Sequence, residues 1–181
     1  MSARPVLWDG RSAARAEARR LLSHAPVDGA LRLIIQQLRL QEQGSEVGRH
    51  ELIDLVLDVG GNLVALHVRD MLREGTAGPA GLDAMLDVLR ADVTADLGAE
   101  PDSLELVVDA DGEVRVLVVL ACEVTPAEIE ADPRHPALHG GAYHIAQDAP
   151  GLEDLRDRRA APRQGVLARL VDTVRERLGG G

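Results

Sequence analysis

Residues 29–74 read GALRLIIQQLRLQEQGSEVGRHELIDLVLDVGGNLVALHVRDMLRE, and the predicted fold depends on how this stretch is interpreted. In residues 29–43, apolar side chains recur at the three- and four-residue spacing of one helix face. Residues 46–74 are apolar except for a stripe of polar residues at the same spacing. The stretch therefore predicts two helices, over residues 29–43 and 46–74, with the second at the centre of a helical bundle.

The predicted 29–43 helix is apolar on two sides, because Leu33 and Leu40 fall opposite its main apolar face. A soluble monomer rarely exposes a large apolar patch, and two-fold symmetric pairing is the commonest way to cover one. Leu33 and Leu40 are therefore the predicted contact residues of a homodimer. The alternative is a monomer with one larger core in which these residues face inward.

Further helical and strand patterns flank this stretch. Residues 11–22 are rich in helix formers, and a second helix runs from Pro79 to Leu97 with Gly98 as its C-cap, so the helical part spans about residues 11–98. Residues 103–121 instead contain two short runs rich in Val and Leu, joined by an Asp- and Gly-containing turn. That pattern predicts a β-hairpin over residues 104–120.

The C-terminal third changes character twice. Residues 123–151 contain four prolines, which predicts an irregular loop with a single helical turn at Thr125-Pro126-Ala127-Glu128, a capping-box sequence. Residues 163–178 repeat Leu and Val at helical spacing and predict a C-terminal amphipathic helix.

These elements predict one α+β domain over residues 1–181. Its architecture is a helical bundle of four to five helices packed against a small antiparallel sheet that contains the 104–120 hairpin. The C-terminal helix is expected to pack back on the bundle or the sheet.

The composition is that of a globular protein in a reducing compartment. The chain has 181 residues, of which 45% are hydrophobic, and a formal net charge of −10. Its one cysteine, Cys122, cannot form an internal disulfide, which favours the cytoplasm. No apolar run is long enough to cross a membrane, and the N-terminus has no secretory signal pattern.

Missing residue types exclude several kinds of chemistry. The chain has no Lys and no Phe, and only one Trp, one Tyr and one Asn, a bias expected of a GC-rich genome. Without Lys there is no Schiff base and no phosphate-binding P-loop. A net charge of −10 and almost no aromatic residues argue against nucleic-acid binding.

One cluster has the composition of a metal site. His135, His139 and His144 lie within ten residues of one another, and Asp148 follows closely. Imidazoles with a carboxylate are the usual ligands of catalytic zinc and of non-haem iron. The alternative is three solvated histidines in a polar loop, because the spacing matches no established metal-binding signature.

His67 is a separate candidate, because it falls at the centre of the apolar face of the predicted 46–74 helix. This position predicts a core or interface histidine that is hydrogen-bonded to a neighbour. The functional alternative is a buried base with a lowered pKa.

The leading functional hypothesis is a non-enzymatic cytoplasmic accessory or interaction protein that binds itself or another protein and needs no cofactor. We lean against an enzyme because no nucleophile lies in a recognisable catalytic context. The alternative is a hydrolase or oxygenase that uses zinc or iron bound in the His-rich loop. A third hypothesis is a small-molecule sensor built around the apolar helices.

Overall fold

The computed structural model describes residues 5–23, 27–75 and 79–160, and six strands and five helices lie within them. In chain order they are β1 (Val6–Trp8), α1 (Ala14–Ser23), β2 (Ala30–Glu42), β3 (Ser45–Val59), β4 (Asn62–His67), α2 (Arg69–Gly75), α3 (Pro79–Leu97), β5 (Ser103–Asp109), β6 (Val114–Val119), α4 (Pro126–Ala131) and α5 (Gly141–Ala160).

The six strands form one antiparallel sheet in the order β1-β6-β5-β2-β3-β4. The predicted helical bundle with a small sheet is therefore wrong, because the sheet is the largest element and the helices pack on its faces. The predicted helices over residues 29–43 and 46–74 are wrong for the same reason. Those residues form three consecutive strands and only then the short helix α2.

Two glycine-containing turns make residues 30–67 a pair of hairpins. Gln43 and Gly44 join β2 to β3 with φ of 53° and 75°, and Gly60 and Gly61 join β3 to β4 with φ of 60° and 88°. Two consecutive residues with positive φ match the right-handed twist of paired strands and connect them tightly. The Gly60-Gly61 pair is therefore the turn of a hairpin.

The sheet has two different faces. The first face carries Leu33, Ile35 and Leu55 and packs against α1, α2 and α3 in the main hydrophobic core. The second face carries Ile34 and Val56, which pack against α5 in a smaller apolar cluster, together with several polar side chains. Because β2 is buried on both faces, its sequence lacks clean alternation and imitates the apolar pattern of a helix.

Several predicted elements are confirmed. The helix α3 has the expected bounds, and Gly98 follows it with a φ of 72°. The strands β5 and β6 pair as the expected hairpin over residues 104–120. At α4, Thr125 and Glu128 form the expected capping box, each side chain bonding to the other residue's backbone N–H.

The predicted irregular loop over residues 123–151 is wrong in its second half, where α5 begins at Gly141. Pro150 lies inside this helix, and the backbone at Asp148 leaves helical geometry, so the element is kinked. A proline lacks the N–H that a straight helix would use, which explains why the sequence suggested a loop. The predicted helix over residues 163–178 lies outside the described residues, and one domain over residues 1–181 stays a prediction.

Leu33 and Leu40 do not lie where the predicted helix placed them. Leu33 is completely buried in the main core, and Leu40 is half-buried beside the cluster of Leu38, Val124 and Ala137. The two-sided helix that motivated an interface at these residues does not exist. Leu33 is thus a core residue of the described chain.

We predict opposite effects for the same substitution at two glycines. Gly61→Ala should destabilise the protein by about 1–2 kcal/mol, because a side chain at positive φ is strained. Gly48→Ala, within β3, should be neutral or stabilising by up to about 1 kcal/mol, since neither site has an atom within 4 Å of an added Cβ. Chemical denaturation measures both. In a helix, Gly61→Ala would instead raise stability, so a gain there would contradict the hairpin.

Candidate functional site

A buried carboxylate on the second face of the sheet joins two of the predicted metal-ligating histidines. Glu105 lies in β5, and its side chain is 2% exposed. Its Oε2 lies 2.9 Å from Nδ1 of His139, and its Oε1 lies 2.8 Å from Nε2 of His144. We call Glu105, His139 and His144 the Glu–His cluster.

The start of α5 positions both histidines. His144 lies in its first turn, where its backbone N–H donates to the carbonyl of Gly140, and His139 lies two residues before the helix. The Gly141 N–H donates to Oδ2 of Asp54 at 2.7 Å, which fixes the helix on β3. A Cβ on Gly141 would lie only 2.8 Å from that of Ala65, so the close approach requires glycine.

Gln36 holds the segment that precedes the helix. Its side-chain carbonyl accepts the backbone N–H of His139 at 2.8 Å. Its amide nitrogen donates to the backbone carbonyl of Ala137 at 2.7 Å and to the hydroxyl of Ser103 at 2.9 Å. This one buried amide therefore ties β2 and β5 to the loop that carries His139.

The electrostatics of the Glu–His cluster favour an ionised carboxylate. Burial raises the pKa of Glu105, but hydrogen bonds from His139 and His144 outweigh it, so the pKa lies below its usual value. An ionised carboxylate only accepts hydrogen bonds, so His139 donates from Nδ1 and His144 from Nε2.

Tyr143 stacks on the His139 ring with centroids 4.2 Å apart and meets the His144 ring edge-on at 5.7 Å.

The other two predicted ligands lie elsewhere. His135 is half-buried, and its Nδ1 accepts the backbone N–H of Ala137 at 3.3 Å. Asp148 forms an ion pair with the buried Arg32 at 2.9 Å. Within residues 5–23, 27–75 and 79–160, no three His, Cys, Asp or Glu side chains are placed to hold a metal ion. The structure thus brings together His139 and His144, without His135 or Asp148.

Sequence reasoning missed Glu105, although a signal for it exists. It is the one charged residue between Leu104 and Val108, inside a run that was interpreted as a strand. A charged residue is almost never fully buried unless it is paired, so a carboxylate in a buried strand implies a partner elsewhere in the chain. The His-rich segment contains possible partners of this kind.

Arg32 forms a second buried polar group on the same face. Its Nε lies 2.5 Å from Oδ1 of Asp109, and its NH2 group lies 2.9 Å from Asp148. Burial alone would lower the pKa of Arg32. The carboxylates of Asp109 and Asp148 have the larger, opposite effect, so the pKa lies above its usual value. Arg115 contacts the other oxygen of Asp109 at 2.7 Å, so the two positive and two negative charges balance.

His67 lies at the rim rather than in a core, which corrects its predicted placement. Its side chain is 60% exposed, and its Nδ1 lies 2.9 Å from Oδ1 of Asp54 in the neighbouring strand. The pair resembles the base and orienting carboxylate of a catalytic triad, but no described hydroxyl or thiol hydrogen-bonds to His67. The contact aligns β4 with β3 and does not by itself constitute a catalytic site.

No family model matches the chain, and a search of curated proteins finds no match. Within the residues that the structure describes, no helix has the length and hydropathy needed to cross a membrane.

We predict that Glu105 is a major stability determinant. Glu105→Ala should cost about 3–5 kcal/mol of unfolding free energy, because it leaves two buried histidines without their acceptor. Glu113→Ala, in the exposed β5–β6 turn, is the control and should change stability by less than about 0.5 kcal/mol. Equal effects of the two substitutions in urea denaturation would contradict the pairing.

The lowered pKa of Glu105 also predicts a pH dependence. The unfolded chain takes up this proton near the ordinary value of 4.5, whereas the folded chain takes it up at a lower pH. The stabilisation is therefore complete above about pH 4.5 and is lost as the pH falls through the folded value. The stability difference between wild type and Glu105→Gln should shrink over that acid range. A difference that stays constant from pH 7 to acid would contradict the assignment.

Proposed function

We propose that the protein is a non-enzymatic cytoplasmic interaction protein that associates with itself or with another protein. The observation that supports this proposal is the position of its exposed apolar side chains. Within the described residues, nine large apolar side chains are exposed, and seven of them lie at the two edges of the sheet. They are Val6, Leu7, Leu97 and Leu120 beside β1, and Val59, Val64 and Met71 in or beside the β3–β4 hairpin.

Edge strands are where a sheet can accept another chain. The outermost strands have one neighbour each, so half of their backbone N–H and C=O groups have no partner within the sheet. At the β1 edge, Val6 and Leu7 are 63% and 58% exposed and border an apolar cavity of about 350 Å³. Apolar side chains beside unpaired backbone groups favour binding of an extended protein segment.

The polar groups support an interaction protein more than an enzyme. The two predicted ligands that come together are directed at Glu105, and Arg32 is taken by two carboxylates. These buried groups are paired with one another, so they stabilise the packing of α5 instead of facing a substrate. The single Cys122 is half-buried, and burial with nearby Asp102 raises the pKa of its thiol, which disfavours a nucleophilic role.

A sensor remains the third candidate because of a second cavity. It has a volume of about 500 Å³ and lies between the end of α1 and the β5–β6 turn, bordered by Leu22, Val27 and Ala110. This volume is within the range of small-molecule sites. The charged side chains of Arg19, Asp111 and Arg159 also border it, which would favour a polar ligand.

Metal analysis separates this proposal from the metal-dependent alternative. We predict that the purified protein contains less than stoichiometric zinc and iron, and that a chelator leaves its melting temperature unchanged. A metal that binds only the folded state would raise that temperature, and its removal would lower it. Stoichiometric metal together with a chelator-sensitive melting temperature would overturn the proposal in favour of the hydrolase or oxygenase.

A further inference from the structure

Among the residues that the structure describes, the strand β4 forms the sheet edge whose own sequence and pairing carry no protection against pairing. It is six residues long, whereas β1 at the opposite edge has three. Its sequence, NLVALH, contains no proline and no Asp, Glu, Lys or Arg, and its pairing with β3 has no bulge. Charges, prolines, bulges and short length are the usual devices that keep an edge strand from pairing. β4 has none of them.

Two hydrogen bonds show which backbone groups of β4 face outward. The backbone N–H of Asp58 in β3 donates to the carbonyl of Gly29, which directly precedes β2, at 3.1 Å. The backbone N–H of Val68, which directly follows β4, donates to the carbonyl of Ile53 in β3 at 2.9 Å. The odd-numbered residues of β3 therefore direct their backbone groups at β4. The backbone N–H and C=O groups of successive residues point to alternate sides of an antiparallel strand. The backbone groups of Val64 and Leu66 therefore bond to β3. Those of Leu63, Ala65 and His67 face outward.

The side chains of β4 leave its outer edge apolar and uncharged. Val64 is 41% exposed on the first face, and Leu66 is partly buried beside it. His67 is the one titratable residue of the strand, and Asp54 of the adjacent strand pairs with it. The edge therefore offers backbone groups and apolar contacts without an unpaired charge.

We propose that β4 is a homodimer interface, in which β4 of one chain pairs antiparallel with β4 of a second copy about a two-fold axis through Ala65. In this register Ala65 opposes Ala65 of the second copy, and Leu63 opposes His67 of the second copy. Each of these opposed pairs exchanges two backbone hydrogen bonds. Val64 then contacts Leu66 of the second copy across a non-hydrogen-bonded pair, where side chains are closest. The two sheets become one continuous sheet.

The register and the charges of this edge favour a second copy as its occupant. One register about Ala65 satisfies all three outward-facing residues and places every apolar residue of the first face against another, so the strand is self-complementary. A basic partner would be favoured by unpaired carboxylates along the edge, and β4 carries none. Two chains with a net charge of −10 repel each other, and an uncharged edge keeps that repulsion smallest.

The inference rests on the proposed interaction function and is tested by a charged substitution. Light scattering behind size exclusion should give the mass of two chains for the wild type at high micromolar concentration. Val64→Lys should raise the dissociation constant by about tenfold or more, since it removes two symmetry-related cross-strand contacts and adds like charges. Val47→Lys is the matched control, because Val47 is a 49% exposed valine at the far end of β3.

Amide hydrogen exchange at two protein concentrations tests the register. Exchange of Leu63, Ala65 and His67 should slow as the concentration rises through the dissociation constant, whereas Val64 and Leu66 should be protected at both concentrations. Val64→Lys should abolish the concentration dependence without changing the melting temperature of the dilute protein. Protection that does not change with concentration at residues 63, 65 and 67 would overturn the β4 interface.

The two proposals fail in different ways. The mass of one chain at all concentrations, or a dimer that Val64→Lys and Val47→Lys affect equally, would overturn the β4 interface. Neither result would be evidence for a bound metal or a catalytic activity. The proposed interaction with another protein would therefore stand. Stoichiometric, chelator-sensitive metal would overturn the interaction function whatever the measured mass.

Discussion

The buried negative charge of Glu105 constrains how the second face of the sheet is covered. A carboxylate that is 2% exposed needs hydrogen-bond donors. Burying an unpaired charge would cost more free energy than the net stability of a typical domain. His139 and His144 provide both donors, and they lie on either side of the first residue of α5. The start of this helix is therefore tied to β5 by hydrogen bonds to a buried charge.

A second charged contact fixes the same helix further along. Arg32 reaches Asp148 at the kink of α5, and beyond it Leu152 and Leu155 pack against Ile34 and Val56. Apolar contacts alone would allow a helix to slide or rotate on a sheet, whereas two directional polar contacts define one position. The departure from helical geometry at Asp148 brings its carboxylate to Arg32 on the sheet. Polar pairing and apolar packing thus select the same arrangement.

The accuracy of sequence reasoning varied with how each element is buried. The helix α3 and the β5–β6 hairpin were predictable, because a glycine follows the helix and an Asp-Gly turn separates the two strands. The strand β2 was not, because burial on both faces removes the alternation that identifies a strand. Gly44 and Gly60-Gly61 were the local signals for hairpins, and a continuous apolar pattern outweighed them. The apolar pattern of β2 reported burial on both sides of the segment and did not identify its backbone geometry.

The candidate site was predictable in composition but not in connectivity. His139 and His144 could be selected from sequence because histidines in a cluster are uncommon, yet their partner lies in β5, more than thirty residues earlier. A single sequence contains no information on which strand faces which helix, so a carboxylate close in sequence, Asp148, was predicted instead. Asp148 neutralises Arg32, a residue that the helical interpretation of residues 29–43 had placed in no site.

The distribution of polar groups between the faces and the edges links this fold to its proposed role. On the second face, buried charges are paired within the chain, and the contacts of Asp148 with Arg32 and of His144 with Glu105 hold α5 on the sheet. At the β4 edge the opposite holds, because the strand carries no Asp, Glu, Lys or Arg and its outer backbone groups have no partner within the described sheet. A rigidly supported strand does not have to be ordered when it binds, so the entropic cost of association is low. The helix α5, which covers the Glu–His cluster, also packs against β4 and holds this edge strand in its extended conformation.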